Sequence, residues 1–403
     1  MRGRHKLFKV GATFAAVVAL GGGVLLASLS GGQAVHAASY DAANFQDLTA
    51  ALNSTDSDID ITITANFGIT GTVTIPAGKA VSIRSSGNEQ YTLQRDSFAG
   101  IMFGVWNAGS SLDLTNVVID GGSQSANATA PMFDVANPSS GTAPVLTVGD
   151  GAILQNAWLN PPSSGAAINC FNDANVNVVD GARLTNNYSG GGSAIATNDS
   201  CALNITGGKF DGNTATSDGG AILLDSSAPA HIGGTTQIFY NQALAGEGEH
   251  GGAISVHDGS SLTIDGNVVI SGNHAPTAGG AIDISHDNLS NLTVGKNVTF
   301  SGNYTGTFHK IAAADQATYN AQIAATKWSS LASNGYNNYD IAYIETDPSD
   351  PPMVCPYDPT IADDNPDCVN PNPTPTPNPN PNPDQPVNPV KPIVPTAPAT
   401  GWL

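Results

Sequence analysis

Charge is scarce in this 403-residue chain, and positive charge scarcest of all. Only 11% of residues are charged, with 13 basic against 33 acidic and a net charge of −20. Four of the basic residues (Arg2, Arg4, Lys6, Lys9) stand in the first nine, and no acidic residue precedes Asp41, so the remainder is more acidic still. Such a surface argues against nucleic acid or anionic membrane as partners, because both are bound through Lys and Arg. Long apolar runs are missing after Leu29, so no later segment is expected to cross a bilayer. The central part of the chain also lacks any run of 3.6-residue periodicity long enough for a helical repeat. Cysteines number four, and their spacing fits no zinc pattern.

What is present is repetition. Ala-Ile pairs begin at Ala167, Ala194, Ala221, Ala253 and Ala281, at spacings of 27, 27, 32 and 28 residues. In the clearest unit, Gly279-Gly280-Ala281-Ile282 leads to Leu292-Thr293-Val294 and then to Phe300-Ser301-Gly302-Asn303. Closing asparagines fall at Asn156, Asn187, Asn213, Asn241, Asn273 and Asn303. A unit of this length cannot bury an apolar face alone, so the period means stacked coils. Each unit holds three short patches of alternating apolar residues separated by Gly, Asp, Asn and Ser, which is strand patterning. The expected fold is therefore all-β, a right-handed parallel β-helix of three strands per coil, with coils roughly 4.8 Å apart. Ile222, Ile254 and Ile282 should stack in its core. Asparagine tolerates a left-handed turn and bonds backbone groups, so the closing column reads as a structural amide ladder.

The pairing of Gly-Gly-Ala-Ile (219–222, 251–254, 279–282) with Phe-x-x-Asn (Phe210–Asn213 and Phe300–Asn303) resembles the repeats of the chlamydial polymorphic membrane proteins. The resemblance covers roughly 150 to 303 and implies a β-helical surface adhesin. That family ends in a membrane barrel, whereas this chain carries a proline tail. The same motif pair recurs in β-helical surface proteins of Gram-positive type, which the ends of this chain favour.

Residues 1–37 read as an export signal: a basic start, an apolar run from Val10 to Leu29, and Val35-His36-Ala37 as a small-residue cleavage site. The β-helix domain is expected over 38–345. Asn44 to Leu52 is predicted to form a short capping helix with Phe45, Leu48 and Leu52 on one face, hiding the strand edges of the first coil. A second helix or insertion is expected over Asp315 to Leu331, and 337–343 returns to strand and closes the last coil. An acidic loop bounded by Cys355 and Cys368 occupies 346–369. Thirteen of the 26 prolines lie at or beyond Pro366, so 370–403 is expected to be a disordered, extended spacer. It ends in Ala397-Pro398-Ala399-Thr400-Gly401, which resembles the sortase sorting signal with Ala in place of Leu. That resemblance implies cleavage after Thr400 and linkage to peptidoglycan. A full signal continues into an apolar span and basic residues, so the chain reads as truncated at a membrane anchor. Membrane contact is otherwise expected only through the export segment.

Four cysteines in an exported chain suggest two disulfides. Cys355–Cys368 follows from proximity, and Cys170 and Cys201 fall at comparable corners of successive coils; three pairings are open in all. A further column follows the Ala-Ile strands: Asp173, Asp199, Asp225, Asp258 and Asp287. On adjacent coils, Asp225, Asp258 and Asp287 would approach within about 5 Å, close enough to share calcium or to work as acid and base. The alternative is that Asp is simply a favoured turn residue. No other cofactor is called for.

The same fold houses pectin lyases and polygalacturonases, so a polysaccharide-degrading enzyme is the rival reading. Lyase chemistry needs a base beside cation-binding carboxylates, and between 122 and 303 the only basic residues are Arg183, Lys209 and Lys296. Arg183 and Lys209 fall on the far side of the second strand from the Asp column, and Gly-His-Gly and Arg-Ile-Lys signatures are absent. The expected function is accordingly a secreted, wall-attached adhesin or surface stalk without chemistry of its own. Its partner would be a host or neighbouring-cell surface ligand or glycan.

Overall fold

A computed structural model describes residues 37–123, 128–138, 140–244, 251–276, 279–284, 286–295, 297–305 and 340–342. The export segment, the Asp315 to Leu331 insertion, the Cys355–Cys368 loop and the sorting-like end lie outside the described residues.

The chain winds as a parallel β-solenoid. Strand patterning of period 2 puts alternate residues inward, and short turns rich in Gly, Asn and Asp bend the chain between strands. The first sheet holds ten strands, from Ala38–Ala42 and Asp58–Ile63 to Ser261–Ile264 and Leu292–Val294. Next along each coil comes a nine-stranded sheet running from Phe67–Ile69 to Thr299–Ser301. Another nine-stranded sheet, from Val73–Thr74 to Ile341–Ala342, completes the coil. We call these the first, second and third sheets. Among the described residues every ladder is parallel, so each strand pairs with its equivalents one coil up and one coil down.

The three-strand coil expected from the repeat becomes a four-sided one from Tyr188 onward. Two-residue strands at Tyr188–Ser189, Thr214–Ala215, Gln242–Ala243, His274–Ala275 and Tyr304–Thr305 form a fourth sheet between the second and third. Only two residues are extended there, too short for period-2 alternation to register in sequence.

Apolar residues fill the interior in columns. Ile195, Ile222, Ile254 and Ile282 are mutual strand partners and fully buried. Burying each such side chain stabilises by roughly 1.5–3 kcal/mol. The Gly-Gly corners ahead of them are a steric requirement. A Cβ on Gly220 would come within 2.2 Å of the Gly252 carbonyl oxygen, and one on Gly252 within 2.1 Å of the Gly280 oxygen. Backbone passes over backbone there, and any side chain would push the coils apart.

The helix Phe45–Leu52 caps the amino-terminal end of the core. Asn44 accepts from the Asp47 amide at 3.0 Å, and Leu48, Ala51 and Leu52 are buried. An additional strand, Ala38–Ala42, precedes it and extends the first sheet by one. Ile341–Ala342 pairs with Ile282–Ile284 and closes the last described coil, as the strand pattern over 337–343 anticipates.

Candidate functional site

The asparagine column is a hydrogen-bonded ladder. Asn213 accepts at Oδ1 from the Asn187 amide (3.1 Å) and from Asn187 Nδ2 (2.9 Å). In turn Asn213 donates through its amide (3.0 Å) and Nδ2 (2.9 Å) to Asn241 Oδ1, and through Nδ2 to the Leu184 carbonyl at 3.0 Å. Asn241–Asn273 and Asn273–Asn303 repeat the arrangement. At the end of the column Asn303 Nδ2 donates to Asp340 Oδ1 at 2.9 Å. Asn156 stands apart from this ladder. Gln155 pairs with Thr185, so Ala157 occupies the ladder position, and its amide donates to Asn187 Oδ1 at 3.0 Å. Asn156 takes the left-handed corner one residue earlier (φ 55°), in line with Asn186 (φ 55°), Gly212 (φ 65°) and Tyr240 (φ 54°). Its Nδ2 donates to Asp120 at 2.9 Å.

The aspartates after the third-sheet strands do not form one column. Counted from the paired isoleucines, Asp225 follows Ile222 by three residues and Asp258 follows Ile254 by four, while Asp287 follows Ile282 by five. Asp225 stands first and Asp258 second in turns of the same length between paired strands, and the turn that holds Asp287 is longer, so the carboxylates are stepped around the corner instead of stacked. Asp225 accepts from the Ser226 amide at 2.7 Å, and Asp258 sits exposed in a left-handed turn at φ 41°. Both are turn chemistry. Asp287 falls within the 3-10 helix His286–Asn291, its side chain outside the described residues. Among the described residues, no three His, Cys, Asp or Glu side chains gather closely enough to hold a metal ion.

Cys170 and Cys201 are disulfide-bonded, with Cα atoms 5.9 Å apart. Cys170 ends the inward run of one third-sheet strand, and Cys201 lies in the turn leaving the next, so the bond joins successive coils.

Basic residues assemble on the second sheet. Arg183, Lys209 and Gln237 are consecutive partners in its outward column. Arg183 is held by Asp211, Nε to Oδ1 at 2.8 Å and Nη2 to Oδ2 at 2.6 Å, and Thr185 donates to the same carboxylate at 2.9 Å. The hydrogen bonds it donates to Asp211 hold the guanidinium pKa above its ordinary value. Lys209 is exposed and makes no ion pair among the described residues.

Beside this column runs a groove of about 420 Å³, lined by Asp150, Asp180, Arg183, Lys209 and Gln237 among others. It follows the turns that lead from the first sheet to the second. Three of its lining residues are glycines in the left-handed region: Gly151 (φ 70°), Gly181 (φ 82°) and Gly208 (φ 96°). The Asp150 carboxylate lies directly over Gly181, where a Cβ would stand 1.8 Å from Oδ1. A trench floored by glycine is the result, with carboxylates on one wall and the Arg183–Lys209–Gln237 column on the other. Reasoning from sequence missed this groove. Its signal was Asp-Gly recurring between the first and second strands, at Asp150-Gly151 and Asp180-Gly181.

The fourth sheet carries a second outward feature. Its outward column runs Tyr188, Thr214, Gln242, His274, Tyr304, extended upward by the bridge from Tyr188 to Trp158. Trp158 stacks on Tyr188 with centroids 3.9 Å apart, and His274 on Tyr304 at 4.4 Å. Burial lowers the His274 pKa, so its ring is neutral at physiological pH. At the adjoining corner Tyr240 is 53% exposed and Leu244 48%.

The model of the Chlamydia polymorphic membrane protein repeat matches residues 208–225, a span that includes both Phe210–Asn213 and Gly219–Ile222. No curated protein and no solved structure matches the chain. The repeat and the parallel solenoid together fit a surface-exposed protein.

Proposed function

We propose that the chain is a secreted, cell-wall-attached surface protein that acts as a non-catalytic adhesin or surface-interaction stalk. The observation that carries the reading is the outward strip from Trp158 to Tyr304, with Tyr240 and Leu244 beside it. Tyr240 and Leu244 stay exposed, and the rings of the strip half-exposed, on a solenoid with a full core to hide them in, which suits contact with a partner. Each ring of the strip spends one face on its neighbour, Trp158 on Tyr188 and His274 on Tyr304, which suits a protein partner better than a sugar stacked face to face. In this reading residues 1–37 direct export, the proline-rich 370–403 spans the wall, and Thr400 becomes the attachment point. Asp225 and Asp258 are engaged in turn geometry, which favours this reading over one that builds an acid–base pair on them.

The test has two arms, both on the full chain. Beads coated with the protein should adhere to host or neighbouring cells, and a Trp158→Ser/Tyr240→Ser double variant should lower adherence about tenfold, as truncation of central aromatic contacts does. The second arm incubates the protein with uronate and neutral polysaccharides, with and without calcium, and follows reducing ends and unsaturated products. Turnover abolished by Asp258→Ala would replace the adhesin reading with the lyase or hydrolase one.

A further inference from the structure

The geometry points to the groove between the first and second sheets as a binding site for an uncharged, hydroxyl-rich glycan chain lying along the solenoid axis. The inference deepens the surface-interaction reading by naming a ligand class, at a site on a different face from the aromatic strip.

Shape comes first. Successive turns contribute Gly151, Gly181 and Gly208 to the lining, and none projects a side chain. The outward column Ile153, Arg183, Lys209, Gln237 spans three coil steps, roughly 14 Å at the ordinary strand spacing. One end is closed by Gln90, whose Nε2 reaches the Gly151 carbonyl at 2.6 Å from a turn 61 residues away. The other is closed by Thr235, whose hydroxyl donates to Asp180 Oδ1 at 3.0 Å. These two long-range bonds hold the walls in place without a ligand, so little ordering cost remains for binding.

Chemistry then selects the occupant. Asp150 and Asp180 present carboxylate acceptors, and Thr235 engages only Oδ1 of Asp180. Lys209 presents an ammonium donor, and the Gln90 and Gln237 amides can donate or accept. Arg183 is already tied in two bonds to Asp211 and serves as wall. Ile153 gives one half-buried apolar surface at the end of the Arg183–Lys209–Gln237 wall. A uronate chain would set its carboxylates against Asp150 and Asp180, and a polyamine would meet Lys209; like charges so placed are repelled. Hydroxyl groups donate to the carboxylates and accept from the lysine, so an uncharged sugar chain satisfies both walls through charge-assisted bonds. Solvated turn residues would line the same surface without selecting anything, and that is the outcome the test must separate.

Isothermal titration of the full chain with hexasaccharides decides it, using β-1,4-glucan, xylan, mannan and chitin oligomers beside a galacturonan hexamer. At least one uncharged oligomer should bind, and at least tenfold more tightly than the galacturonan. Lys209→Ala and Asp150→Asn should each weaken that binding about tenfold, and Gln237→Ala, at an exposed position that leaves the coil intact, should weaken it measurably. Trp158→Ser/Tyr240→Ser should leave it unchanged. No binding by any uncharged oligomer, tighter binding of the galacturonan, or affinity indifferent to all three groove variants would overturn the proposal. Loss of cell adherence in the strip variant with intact glycan binding would separate the two sites. A groove that fails while the strip still governs adherence leaves the adhesin reading standing.

Discussion

Among single residues, the asparagines carry the most structural weight for their size. Asn213 is fully buried and makes bonds in three directions, so removing its amide strands the Asn187 N–H and the Leu184 carbonyl inside the turn. Each buried group so orphaned costs about 1–3 kcal/mol. Asn213→Leu is therefore expected to destabilise the fold by about 3 kcal/mol or more in urea unfolding. Asn156→Gly should cost under about 1 kcal/mol, since glycine adopts the left-handed corner freely and only the bond to Asp120 is lost. Equal losses at the two positions would mean that the ladder is not what stabilises these turns. The buried Arg95 shows another residue-scale solution. Its guanidinium donates to the carbonyls of Phe98, Gly100, Ala130 and Pro131, and burial lowers its pKa to about 10, so it stays charged at neutral pH. One side chain thereby ties together the loops that follow two successive second-sheet strands, Tyr91–Arg95 and Val117–Asp120.

Strands and turns are held in register by different means at different corners. Gly-Gly turns achieve it by steric exclusion, the asparagine corner by hydrogen bonds, and the turn at Cys201 by a covalent bond to the preceding coil. The disulfide closes a loop of 31 residues in sequence. By chain entropy alone that closure is worth about 3–4 kcal/mol. A Cys170→Ala/Cys201→Ala double variant should lose about that much stability, and reducing agent should shift the melting temperature of the parent but not of the variant. An unchanged melting temperature in the variant would show that the coils are already fully constrained by their ladders. The aspartate turns are the contrasting case: Asp225 and Asp258 take different places in turns of equal length, so the residue type recurs while the position does not.

For the whole molecule, a solenoid contacts only its neighbours along the axis, so stability is expected to be a sum over coils and their interfaces. Damage should stay local. Ile254→Ala removes a fully buried side chain from the isoleucine column, at a cost of about 2–5 kcal/mol. Hydrogen exchange read by mass spectrometry should then rise in the third-sheet strands Ile222–Leu224 and Ile282–Ile284. Strands Asp58–Ile63 and Ala80–Ser85 should keep their protection. Uniform acceleration along the chain would mean that the stack unfolds as one unit instead.

The repeat period, the alternation of apolar residues and the Gly-Gly and Asn corners determined the solenoid, because each is a local requirement that recurs once per coil. The capping helix and the closing strand at Ile341–Ala342 were legible for the same reason, from spacing within a few residues. The positions that pair across coils were less so. A residue type that shifts by one place within a turn changes column while the motif stays intact to the eye. Asn156 falls outside the ladder because Ala157 holds the place of Asn187, Asp225 and Asp258 take different places in turns of equal length, and the two-residue strands of the fourth sheet are too short to show a period. The groove is the extreme case. Asp150 and Asp180 share only the short Asp-Gly pair, and Gln90, Lys209 and Thr235 lie tens of residues away with no motif in common. Only the winding of the chain, which turns a distance of one coil in sequence into one strand spacing in space, brings them to a common wall.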